Sequence, residues 1–161
     1  MARHEQDRED LIREATRLVP RAEWHVPGEE VPVVLGIRSP GALSVFFGPD
    51  PVFHFNSHGE LRRGFVRGAL WKADRGRLVV MRRRRTSESV ALQARDVVAE
   101  EKTMLLREAQ ERLARLQEAL ASGQATWVRG AGEDAGSAEF WLGCLATIES
   151  PWQLAQRPHV V

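Results

Sequence analysis

The sequence predicts an α+β fold: an antiparallel β-meander of five to seven strands covered by a long helix, with short helices at the N- and C-termini. Three observations carry that expectation. Residues 22–85 are cut by Gly and Pro into short apolar stretches. Residues 87–122 contain one long stretch free of both. The connections between the short stretches are too brief for parallel crossovers, so neighbours pair antiparallel. With 161 residues and 43% hydrophobic composition, the chain fits a single α+β domain over residues 1–161 and can build a core without metal or disulfide.

Residues 1–20 form the first expected helix. Leu11, Ile12, Ala15, Leu18 and Val19 fall on one stripe of a 3.6-residue period, acids crowd the front, and Pro20 closes it. The meander follows over residues 22–85, with strands at Glu23–Val26, Val31–Ile37, Ala42–Phe47, Val52–Phe55, Leu61–Val66, Ala69–Ala73 and Leu78–Arg83. Asn56-Ser57-His58-Gly59 carries a side-chain acceptor at the start of a turn and Gly at its close, and Asp74-Arg75-Gly76 supports a hairpin. Arg67-Gly68 reads either as a third turn or as a bulge in a longer strand.

Thr86 or Ser87 opens the long helix, residues 87–122, and Gly123 ends it. Leu106, Ala109, Leu113, Leu116 and Leu120 step by three and four. That seam suits packing on this chain's own sheet, with a two-heptad coiled coil as the alternative. Residues 125–150 supply a short strand (Ala125–Arg129), a Gly-rich acidic loop, and a last helix from Ser137. Phe140, Trp141, Cys144, Leu145 and Ile148 share a face of that helix, and Trp127, Trp141 and Trp152 read as core filler.

Charge placement is the strongest functional signal. Between Leu61 and Arg85 stand ten basic residues against the single acid Asp74, giving +9, whereas the whole chain is only +1. Arginine's planar fork suits phosphate, and a basic strip binds polyanions by releasing their counterions. The leading reading is a non-catalytic binding module. Arg62, Arg63, Arg67, Lys72, Arg82, Arg83, Arg84 and Arg85 would contact a polyanion such as nucleic acid, with Phe65 and Trp71 placed to stack on unpaired bases. The bland account is that these charges protect sheet edges or pair with acids of the same chain.

Two other functional classes stay open. One is a protein-interaction or self-association module, in which acidic helices meet the basic sheet of another copy, making a homo-oligomer through the long helix or the basic sheet. The other is a small enzyme or ligand receptor, with a pocket between the sheet and the long helix near His54, Asn56 and His25. His54 and His58 lie too far apart on a continuous strand, about 13 Å, to share a metal. Gly130–Gly136 misses dinucleotide-loop spacing and puts Glu133 and Asp134 where a pyrophosphate belongs. Cys144 sits in an apolar stretch, which suits a buried thiol. No catalytic residue, metal ligand set or cofactor motif is assigned. No apolar run is long enough to span a membrane and the N-terminus is polar, so no membrane contact and a cytoplasmic location are expected.

Overall fold

The computed structural model describes residues 13, 15–38, 41–74, 77–85, 90–96 and 99–148. These residues form an α+β architecture built on one nine-stranded antiparallel sheet. Its strands are β1 (Arg21–His25), β2 (Val33–Arg38), β3 (Ala42–Phe46), β4 (Val52–Phe55), β5 (Leu61–Val66), β6 (Ala69–Asp74), β7 (Arg77–Arg85), β8 (Val90–Asp96) and β9 (Thr126–Ala131). The helices are α1 (Ala99–Ser122) and α2 (Ala138–Ala146). Strand order is β8-β7-β6-β5-β4-β3-β2-β1-β9, so eight strands meander in sequence and β9 returns to pair with β1.

The expected count of five to seven strands is therefore too low, and the expected helix over residues 87–122 is too long. Its front forms β8, paired with β7 from Val79↔Asp96 to Arg85↔Val90. Ala, Leu, Gln and Arg favour a helix in isolation, but an exposed edge of β7 offers a full ladder of backbone partners, and tertiary pairing overrides propensity. The helix proper then starts at Ala99.

Its 24 residues rise about 36 Å at 1.5 Å each. That nearly matches the ~38 Å across eight inter-strand steps of a sheet. The helix thus has the reach to carry the chain from β8 at one edge to β9 at the other. Leu105, Leu106, Ala109, Leu113, Leu116, Ala119 and Leu120 are buried against Trp24, Leu35, Val45, Phe53, Phe55 and Trp71 of the sheet. The leucine seam is consumed within the chain. A partly buried ion pair, Arg112 Nη2 to Glu29 Oε1 at 2.8 Å, fixes the helix to the β1–β2 loop, and the same guanidinium lies 5.2 Å over the Phe47 ring.

Helix α2 begins as expected, with Ser137 Oγ accepting from Phe140 N. Trp141 and Leu145 are buried, while Phe140, Cys144 and Ile148 pack against the core from partly buried positions. Trp141 donates its indole N–H to Ala135 O at 2.7 Å, which ties the Gly-rich loop to the helix. Trp127 is not core filler: it is 42% exposed and meets Trp24 edge-on.

The opposite face of the sheet has its own, smaller cover. Ala15 and Leu18 sit on Phe46 and Val52, with Val34 and Phe65 alongside. Gly36 permits this approach, since a Cβ there would come within 2.7 Å of Leu18 Cβ. Val19, expected in the same stripe, is exposed. Residues 1–12 of the expected N-terminal helix, the proposed helix cap at 86–87, Arg75, Trp152, His4 and His159 lie outside the described residues.

A basic cleft at one end of the sheet

Cross-strand register assembles the candidate site. Gly36, Ser44, His54, Arg63 and Lys72 are successive partners across β2 to β6, each directly opposite the next. Alternation puts this row on the face that carries Ala15 and Leu18, because Phe46 and Val52 share its parity. His54 therefore lies on the side of the sheet away from α1, not in a pocket under the long helix. His25 is exposed at the end of β1.

Beyond the patch covered by Ala15 and Leu18, a cleft of about 330 Å³ opens, lined by Arg38, Arg62, Arg63 and Lys72 with Ala42, Phe55, Asn56, Ser57 and Ala73. Four cations border it, and no carboxylate does among the described lining residues. Arg62 and Lys72 are exposed and Arg63 is half-buried. Arg63 and Lys72 face each other across β5 and β6. Like charges directly opposite destabilise a sheet.

The β4–β5 turn forms one wall. Asn56 Oδ1 accepts from His58 N and Glu60 N, both at 2.9 Å, while its amide donates to Glu60 Oε1 at 3.0 Å. Asn56 is thus spent on shaping the turn, and Glu60 is held beside it. Gly59 closes the turn at φ +80° against the backbone of Thr147 and Ile148 after α2.

Within the row, His54 is 3% exposed and Ser44 0%, and Ser44 Oγ and His54 Nδ1 share a 2.7 Å hydrogen bond. Burial, with Arg63 and Arg38 adding positive charge nearby, pushes His54 down to about 3, so its ring is neutral at pH 7. A neutral imidazole can sit between guanidinium groups where an imidazolium could not. Ser–His spacing of this kind activates nucleophiles elsewhere, but Ser44 is wholly buried here and neither residue lines the cleft.

The remaining residues of the expected site lie elsewhere. Arg67 occupies the two-residue β5–β6 turn, with φ +53° at Arg67 and +74° at Gly68, which resolves the choice between turn and bulge. Their amides donate to the two carboxylate oxygens of Asp50 at 2.9 and 2.8 Å, and Arg67 Nε approaches Glu108 Oε2 at 3.6 Å. Trp71 is buried in the main core and donates its indole N–H to Val66 O at 3.0 Å. Phe65 packs against the smaller cluster with Phe46 and Val52. Trp71 is therefore not available for base stacking as expected, whereas Phe65 is only partly buried.

The backbone of Arg82–Arg85 lies in β7 beyond the partner of Leu70, paired only with β8. Arg83 stands four residues from Val79, the partner of Lys72, or about 13 Å along the strand. The basic run is therefore divided between the two ends of the sheet. Arg38, which sequence reasoning missed, joins the cleft because β2 and β3 bring its position beside β4; register, not sequence proximity, is the signal.

Among the described residues no group of His, Cys, Asp and Glu could hold a metal ion, and no helix is long and apolar enough to cross a membrane. Burial raises the Cys144 thiol above its ordinary value, which keeps it protonated. Helix α1 carries five acids against four bases, a formal charge of −1. No protein-family model, curated protein or solved structure matches the chain. The cleft's own chemistry is what bears on function.

Proposed function

We propose that the protein is a non-catalytic binding module that takes a polyanion such as nucleic acid at the basic cleft, through Arg38, Arg62, Arg63 and Lys72. The observation that carries this reading is the set of four cations around one 330 Å³ space, two of them opposed across adjacent strands. Guanidinium forks supply paired hydrogen bonds to phosphate oxygens, and Lys72 adds a point charge. Arg82–Arg85 form a separate basic stretch at the other end of β7 and are a secondary contact for a long ligand.

Fluorescence anisotropy with labelled oligothymidylate, at about 50 and 200 mM salt, tests the reading. Binding should weaken as salt rises. The Arg62→Ser/Lys72→Ser double variant should bind at least about tenfold more weakly at low salt, with a slope of log K against log salt shallower by roughly 0.7 per lost phosphate contact. Absence of binding at low salt, or binding that the double variant leaves unchanged, would remove the proposal.

A further inference from the structure

Resting on that reading, we infer that the cleft recognises a terminal phosphate monoester, the phosphorylated end of a strand or a free mononucleotide, in preference to the interior of a strand. Size is the first argument. A volume of about 330 Å³ stands at the lower limit of ordinary small-ligand sites. It holds one nucleotide-sized group and not a run of them.

Charge is the second argument. An internal phosphodiester brings one negative charge, whereas a monoester carries about −1.5 to −2 at neutral pH and presents three acceptor oxygens. Arg38, Arg62, Arg63 and Lys72 surround the one space. Exposed Arg62 and Lys72 alone supply two positive charges at that space, which match the doubly charged group better.

Shape is the third. Proteins that follow the interior of a single strand present a basic groove with a series of stacking aromatics. Here Trp71 is committed to the main core and Phe65 packs, partly buried, against the smaller cluster, so no series of open aromatics is present among the described lining residues. The next basic stretch, Arg82–Arg85, lies at the far end of β7. The β4–β5 turn closes one side of the cleft, anchored by the Asn56 hydrogen bonds and by Gly59 against Thr147. Of the apolar lining residues only Ala42 is more than marginally exposed, since Phe55 and Ala73 are buried, so the cleft is built to hold the phosphate rather than to stack a series of bases.

The experiment is a competition series. Full-length protein is titrated with labelled oligothymidylate in three forms: 5′-phosphorylated, 3′-phosphorylated and hydroxyl-ended. Thymidine 5′-monophosphate and thymidine are then added as competitors. One phosphorylated end should bind about tenfold or more tightly than the hydroxyl-ended strand. Arg62→Ser and Lys72→Ser should abolish that preference while leaving the circular dichroism spectrum unchanged. Competition by the monophosphate but not by thymidine assigns the shared phosphate chemistry to a free nucleotide as well as to a strand end. A monophosphate without effect restricts it to strand ends. Equal binding of all three oligonucleotides overturns end recognition and leaves the polyanion reading standing. No binding of any form overturns both.

Discussion

His54 is buried in a basic environment and stays neutral in the folded chain, and this links stability to pH in a definite direction. Its folded value is lowered to about 3 from 6.5. Between those values the unfolded chain binds a proton that the native chain does not. The His54 contribution is therefore fully present above about pH 6.5 and is lost as pH falls toward 3, at up to about 1.4 kcal/mol per pH unit. His54→Gln, which retains a partner for Ser44, should flatten the decline. Urea denaturation at pH 7, 6 and 5 checks this: parallel losses in both proteins would show that His54 does not carry the slope. At the same scale, Arg62, Arg63 and Lys72 are recognisable from sequence as members of a basic set because charge density is a local property. Trp71 was not legible as core, since a Trp among arginines looks alike whether it faces solvent or the far side of a strand. Arg38 was not legible either, because its membership depends on two cross-strand registers.

Turns set the elements in place, and the β4–β5 turn also builds the cleft. Gly59 has a positive φ, and an added Cβ would collide with the Thr147 carbonyl. Gly59→Ala should destabilise the protein by about 1–3 kcal/mol and weaken ligand binding with it. Gly143 is the control: it lies in α2 with no atom within 4 Å of an added Cβ. Gly143→Ala should stabilise by about 0.5–1 kcal/mol. Thermal denaturation of both variants measures the contrast, and equal effects would refute this account of the turn. Most elements could be read from the sequence for the same reason. Gly, Pro and Asn punctuation marks hairpins locally, so all seven expected strands of the meander are found. Strand β8 could not be read, because Val-Ala-Leu-Gln-Ala-Arg-Asp has helix-forming composition and becomes a strand only by pairing with β7. The Arg67-Gly68 turn was ambiguous because Arg is an unusual first residue for two consecutive positive φ angles, and the compensating acceptor, Asp50, lies far away in sequence.

Across the molecule, one helix serves both edges of the sheet. Leu116 is fully buried at the α1–sheet contact. Leu116→Ala should cost about 2–5 kcal/mol, read as a lower denaturant midpoint with the steepness of the transition preserved. A loss confined to the signals of α1 would instead mean that helix and sheet unfold separately. Whole-molecule charge is uninformative by comparison, since a net +1 conceals a sheet with two basic ends.

The placement of β9 beside β1 has a consequence for biosynthesis. A ribosome emits β1 well before its second neighbour, which is encoded roughly a hundred codons downstream, a delay of about 5–20 s at ordinary elongation rates. Until then the nascent meander presents a bare ladder at its oldest strand, and a chaperone or a neighbouring polypeptide has that interval in which to occupy it.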